Sequence, residues 1–91
     1  MVSRIPDDRE GTCYLCGGRS AHVHHIFGGS SRNASDRHRL VLHLCSDCHN
    51  MVHSKDGKDV RLYLHQLGQK VYEAEIGTRE QFREEFIRSY L

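Results

Sequence analysis

The chain has 91 residues, with four Cys, eight His, no Trp and a formal net charge of +1. That length suffices for one small domain, and chains of this size often need a metal, a disulfide or a partner because their apolar core is modest. The balanced charge gives no global signal for a polyanionic partner, and no stretch approaches the roughly 20 apolar residues that cross a bilayer.

Residues 1–11 are polar and charged, and we expect them to form a flexible lead. They contain no apolar run of the kind that signal peptides carry. We therefore expect a cytoplasmic protein without a membrane partner. In such a reducing compartment, paired Cys bind metal more often than they form disulfides.

Residues 12–54 have the pattern of two strands and a helix. In chain order we predict a metal knuckle at 13–18, a strand at 21–27, a Gly- and Ser-rich loop at 28–36, a strand at 40–44 and a helix from Ser46 or Asp47 to about Ser54. In the second strand Leu40, Leu42 and Leu44 share one face.

Residues 55–91 form a helical extension in this interpretation. After a turn at 55–58, a helix is predicted from Asp59 to Glu75, with an apolar stripe of Val60, Leu64, Leu67, Val71 and Ala74. Gly77 ends it, and Thr78 to Gln81 fit a capping box that opens a last helix. That helix carries Phe82, Phe86, Ile87 and Tyr90 on its apolar side. The extension packs on the core or forms a homodimer.

The four Cys form two Cys-x-x-Cys pairs, Cys13 with Cys16 and Cys45 with Cys48. Two such knuckles can place four thiolates in a tetrahedron around one Zn²⁺, which would supply folding free energy to a small core. Two disulfides or a redox pair are the alternatives. A tetrathiolate site has no open position, so catalysis would need a second metal or another group.

A group of histidines surrounds these Cys. His49 and His53 are spaced i, i+4, so both project from one face of the predicted helix and can share an ion. His24 and His25 are neighbours on a strand and point to opposite faces unless the strand bends. A metal that polarises a phosphate, with a neutral His that deprotonates water, is chemistry suited to phosphodiester hydrolysis.

Residues 13–53 resemble the HNH nucleases, especially short phage-encoded members with a four-cysteine zinc site. The similar features are a Cys-x-x-Cys pair, His-His-Ile, a Gly/Ser/Asn loop, and Leu-Cys-x-x-Cys-His-Asn-x-x-x-His. The resemblance implies an α+β fold with a small ββα-metal (His-Me finger) core, a four-cysteine knuckle pair and C-terminal helices. It also implies a phage-encoded or bacterial endonuclease that nicks or cuts DNA.

The resemblance further implies roles for individual residues. His25 would be the general base, and His24, His49 and His53 would bind a catalytic Mg²⁺, Mn²⁺ or other divalent ion. The family's middle Asn is missing before the second strand, where Arg37-His38-Arg39 stands instead. Asn33 is a candidate substitute, with a turn residue as its ordinary alternative. Expected contacts to the DNA backbone are Arg32, Arg37 and Arg39, with Lys55 and Lys58 as weaker candidates.

Two other functions are alternatives to the nuclease. A non-catalytic zinc-finger module that binds nucleic acid would need the Cys and the basic residues, but not His24, His25 or His53. A zinc-dependent nucleobase deaminase would need His-x-Glu and Pro-Cys-x-x-Cys, and neither motif is present.

Overall fold

The computed structural model describes residues 1–91 as an α+β fold, as predicted. Its elements are β1 (His22–His25), α1 (Arg32–His38), β2 (Val41–Leu44), α2 (Ser46–His53), α3 (Lys58–Glu75) and α4 (Arg79–Phe86), with 3-10 turns at Gly29–Ser31 and Lys55–Gly57. The two strands are antiparallel, with His24 opposite Leu42 and His25 opposite Val41. No helix is long and apolar enough to cross a membrane.

Both faces of β2 are buried, because the N-terminal segment covers the face that the helices leave open. Ile5 is 2% exposed and belongs to the core. Ser3 Oγ donates to the Val41 carbonyl, and the Asp8 carboxylate accepts from the His43 backbone N–H at 2.8 Å. Residues 1–11, expected as a flexible lead, therefore include side chains that pack against the sheet.

The stretch 28–36, predicted to be a loop, is corrected to a 3-10 turn and most of α1. Tertiary contacts outweigh its weak helix propensity. Ser35 is fully buried, and its hydroxyl both accepts from the Phe27 N–H (3.1 Å) and donates to the Phe27 carbonyl (2.8 Å). Ala34 is also buried. Arg39, in the left-handed region with φ of 56°, ends the helix.

The helix α2 begins and ends where the sequence predicts, within a residue. The side chain of Val52 in this helix is fully buried and anchors α2 to the core. The helix packs against β1. This packing turns His49 and His53 toward the strand that carries His24.

The helix α3 continues through Gly68. A Cβ at Gly68 would lie 2.9 Å from the Phe27 ring and 3.0 Å from Ile26, so glycine lets the helix approach the chain just after β1. Leu64 and Val71 of the predicted stripe are buried, whereas Ala74 is exposed.

The capping box at α4 is present, with Thr78 and Gln81 exchanging hydrogen bonds as predicted. Phe82 and Phe86 are buried against Phe27, so the C-terminal helices share one core with the hairpin. Ile87 is 74% exposed, contrary to the prediction, because the helix ends at Phe86 and Ile87 takes a φ of 78°. The radius of gyration, 12.4 Å, is that of one compact domain of this length.

Candidate metal centres

The first candidate site is the cluster of Cys13, Cys16, Cys45 and Cys48, which we call the thiolate cluster. Its sulfur atoms all lie within 4.8 Å of one another, and none forms a disulfide. The Sγ atoms of Cys16 and Cys45 are 3.7 Å apart. Four thiolates bound tetrahedrally to zinc at about 2.3 Å are separated by about 3.8 Å. The donor set therefore fits a structural metal such as zinc.

Two backbone turns bring these thiols together. In the first, the Cys13 N–H donates to the Gly18 carbonyl (2.7 Å), and Gly17 adopts a φ of 79°, which favours glycine. In the second, Cys45 lies at the N-cap of α2, and its Sγ accepts the Cys48 N–H at 3.3 Å. A shared ion would thus connect the turn that precedes β1, the end of β2 and the start of α2.

The thiols differ in how readily they ionise. Burial raises the pKa of Cys13, but hydrogen bonds from backbone N–H groups, led by that of Cys45, outweigh this effect and lower the pKa to about 6. Burial and the neighbouring thiols raise the pKa of Cys48 above its ordinary value. Four thiolates at this spacing need a cation among them, as a metal site requires.

The second candidate site consists of His24, His49 and His53, which we call the histidine triad. The ring nitrogens that could bind an ion all lie within 4.8 Å of one another. The Nε2 atoms of His49 and His53 are 3.2 Å apart. Two imidazoles that share an ion at about 2.0–2.1 Å are separated by about 3.0–3.4 Å. The structure thus brings together the three histidines that the sequence grouped.

Two of the triad residues, His24 and His49, are electrostatically suited to bind a cation as neutral imidazoles. Burial, and then the nearby His53 and His49, lower the pKa of His24 to about 4. Burial also lowers the pKa of His49, with a further contribution from His53. Metal ligation requires the unprotonated ring, so at neutral pH these groups need lose no proton to bind an ion.

His22 lies behind the triad, a placement that the sequence analysis did not anticipate. Its ring stacks on that of His49, with centroids 4.5 Å apart and an interplanar angle of 19°. Its Nε2 lies 3.3 Å from Ser46 Oγ. The period-2 spacing of His22 and His24 on one strand was the available signal for this neighbourhood.

His25 lies beside the triad and has a carboxylate partner. Its Nε2 is 2.6 Å from Oδ1 of Asp36, which α1 presents. Because the sequence pattern indicated a loop over 28–36, it offered no reason to select Asp36. Asn33, the candidate brace, is exposed on the same helix, and its side chain makes no hydrogen bond to the protein. The structure therefore gives His25 an acidic partner at the place where an amide was expected.

Both His24 and His25 face the same recess, because β1 ends at His25. Two contiguous hollows of about 270 and 340 Å³ share His24, His25, Gly28, Gly29 and His53. The first is also lined by Arg61, Leu64 and His65, and the second by Val23, Arg32 and His49. We call the two together the histidine cleft. It is the space into which the triad and His25 open.

The residues expected to contact DNA lie in different surroundings in the structure. Arg32 lines the histidine cleft. Arg37 instead forms an ion pair with Glu85 at 2.8 Å. Arg39 and Lys55 are exposed and line none of the hollows.

The remaining histidines pack against the core. His43 is 5% exposed and pairs with Asp8, and His38 bonds Glu85 at 2.8 Å. His65 stacks on Phe27 at 5.4 Å, and burial lowers its pKa. His38, His43 and His65 thus pair or pack with other side chains and are not members of the triad.

Compared with known proteins, the chain matches no family model, no curated protein and no solved structure. The structure itself defines a small α+β domain with a four-cysteine cluster that could bind zinc. It also has a three-histidine cluster, with an adjacent His–Asp pair, that opens into a cleft.

Proposed function

We propose that the chain is a metal-dependent endonuclease of the HNH type that hydrolyses DNA phosphodiester bonds. The observation that carries this proposal is that the histidine triad and His25 line one cleft, and that His25 is hydrogen-bonded to Asp36. The supporting framework is an antiparallel hairpin followed directly by α2, which matches the ββα-metal arrangement that the sequence resemblance implies.

In this proposal the thiolate cluster holds Zn²⁺ for stability, and the triad holds a catalytic ion. Three neutral imidazoles without a carboxylate suit Zn²⁺, Ni²⁺ and similar transition metals better than Mg²⁺, which prefers oxygen ligands. When bound, such an ion supplies Lewis-acid polarisation of the phosphate and stabilises charge on the leaving oxygen. An ion held by these three residues would lie at the wall of the histidine cleft, where substrate could reach it.

His25 acts as the general base. Asp36 accepts the Nε2–H, which fixes the tautomer and leaves the Nδ1 lone pair free to take a proton from the attacking water. The same carboxylate stabilises the imidazolium that forms. Arg32, at the cleft wall, donates to a phosphate oxygen. The unpaired thiols suit a reducing cytoplasm, where phage or bacterial DNA is accessible.

A plasmid-nicking assay tests this function. Wild-type protein with one equivalent of Zn²⁺ is assayed with added Mn²⁺, Ni²⁺, Co²⁺, Zn²⁺ or Mg²⁺, beside His25→Ala. We expect nicking with transition metals and a loss of roughly 10²–10⁴-fold in His25→Ala, with unchanged circular dichroism and zinc content. If wild type cuts with none of these ions while still binding DNA, the non-catalytic zinc module is the better description.

A further inference from the structure

A second cleft lies next to the histidine cleft, between α3 and the C-terminal residues. It has a volume of about 340 Å³ and is lined by Lys58, Asp59, Arg61, Leu62, His65, Arg88 and Tyr90. We call it the C-terminal cleft. Of these residues, the sequence suggested only Lys58 as a contact to the DNA backbone, and as a weaker candidate than the arginines.

The C-terminal cleft carries positive charge without matching acids. Lys58, Arg61 and Arg88 are cationic, and Asp59 is the one acidic residue that lines it. None of the three cations forms an ion pair with a carboxylate. Their positive charge is therefore available to an anionic ligand.

Two of these cations are held in place by neighbouring groups. Arg61 Nη1 donates to the carbonyls of Val52 and Ser54, both at 2.6 Å, where α2 ends. The guanidinium carbon of Arg88 lies 4.9 Å from the centroid of the Tyr90 ring, over its face. Held side chains lose less conformational entropy when they bind a phosphate.

The C-terminal cleft is continuous with the histidine cleft, because Arg61 and His65 line both. Lys58 and His65 are seven residues apart on α3, which corresponds to a rise of about 10 Å. One strand of B-DNA rises about 3.4 Å per nucleotide, so this distance accommodates about three nucleotides. A strand that enters the histidine cleft can thus extend along α3.

We infer that the C-terminal cleft binds the sugar–phosphate backbone of the DNA strand on one side of the scissile phosphate, through Lys58, Arg61 and Arg88. This inference rests on the proposed function, because it takes DNA as the ligand of the adjoining cleft. It adds an electrostatic site to a chain whose overall charge is only +1. Lys and Arg contacts to phosphates position a duplex without reading its sequence.

The test is a binding titration with a fluorescein-labelled duplex of about 20 base pairs, followed by anisotropy between about 50 and 200 mM NaCl, the range in which phosphate contacts show their salt dependence. The zinc-loaded full chain with His25→Ala prevents cleavage during the measurement. To this background we add Lys58→Gln with Arg88→Gln, and keep Arg61 because it also ties α2 to α3. The matched control is Lys70→Gln with Arg83→Gln, which removes the same charge from two exposed residues that line neither cleft.

The cleft variant is expected to bind roughly tenfold more weakly, and its slope of log affinity against log salt should fall by about 2, near 0.9 for each lost phosphate contact. The control should keep the parent slope. Equal slopes in the two double variants would overturn the inference, and so would tighter binding to an RNA duplex of the same sequence. The nicking assay on the wild-type protein tests the proposed function separately. If the chain binds no DNA, both the proposed function and the inferred backbone site are wrong.

Discussion

The thiolate cluster and the histidine triad differ in whether an ion bound there would keep a free coordination position. Four cysteines complete a tetrahedral donor set, so an ion bound there has no position for water or substrate. The triad offers three donors, and its open side faces a cleft lined by His25 and Arg32. In the proposed function, the number of donors thus separates a site for stability from a site for chemistry.

The two clusters are nevertheless joined through α2. Cys45 caps this helix and Cys48 lies in its first turn, while His49 and His53 lie one and two turns along. A metal in the thiolate cluster therefore fixes the position of the helix that carries two of the three triad ligands. We expect damage to the first site to destroy the second, but not the reverse.

The largest expected effect comes from Cys45→Ser, which removes one thiolate from the cluster but keeps a side-chain oxygen that can still cap α2. Structural zinc contributes about 10–16 kcal/mol in small zinc domains, which is as much as the whole stability of a small protein. The variant should lack the cooperative thermal transition of wild type, and chelation of the wild-type zinc should do the same. Retention of a native transition after either treatment would contradict the structural role of the thiolate cluster.

His49→Ala should have the opposite profile. The variant should keep one tightly bound zinc and a thermal midpoint within a few degrees of wild type. Its affinity for an ion in the histidine triad should fall by more than the roughly 10–100-fold that is typical when a residue that only hydrogen-bonds a metal ligand is lost. Isothermal titration with Ni²⁺ measures this. His22→Ala is the matched comparison, because His22 stacks on His49 and contacts Ser46 but is not one of the triad ligands, so its loss should cost less. Loss of both ions in His49→Ala would show that the two sites are not separable.

Asp36→Asn should reduce kcat by roughly 10–100-fold with little change in KM, because the amide no longer fixes the tautomer of His25. Asp36→Glu should restore part of the activity, which a purely structural defect would not allow. Steady-state nicking of a short duplex gives both constants. A larger loss in Asn33→Ala than in Asp36→Asn would instead favour the brace expected from the sequence.

The sequence predicted the elements whose signals are local. The capping box at Thr78, the helix after Cys45 and the i, i+4 pair His49 and His53 are fixed by short-range spacing. The sequence did not predict α1. It indicated a loop over 28–36, because this Gly- and Ser-rich stretch becomes helical through the burial of Ser35, which is a tertiary contact. It also failed for the packing of Ile5, which depends on a distant sheet face.

The same distinction applies to the candidate sites. The Cys-x-x-Cys pairs predict their own clustering because each pair forms one turn, and the triad needs only one strand–helix contact in addition. Asp36 could not be chosen, since its partnership with His25 requires the helix that the loop interpretation lacked. The C-terminal cleft combines α3 with residues more than 20 positions away, Arg88 and Tyr90, so no local pattern predicts it.

The smallest expected effect concerns Glu85, which holds the helix that presents Asp36. Burial alone would raise the pKa of Glu85, but hydrogen bonds from Tyr72, His38 and Arg37 outweigh it and lower the pKa from 4.5 to about 2. Because the folded pKa is below the unfolded one, this stabilisation is present above pH 4.5 and is lost as the pH falls toward 2.

Glu85→Gln should therefore be modestly less stable than wild type at neutral pH, because an amide replaces the charged acceptor of these hydrogen bonds. Denaturant unfolding of the zinc-loaded proteins at neutral pH, where the thiolate cluster keeps its metal, measures the difference. Glu84→Gln, an exposed neighbour without an ion pair, is the control. No difference between Glu85→Gln and this control would mean that α1, and with it Asp36, is held by packing alone, which would leave the histidine cleft less coupled to the C-terminal helices than its hydrogen bonds indicate.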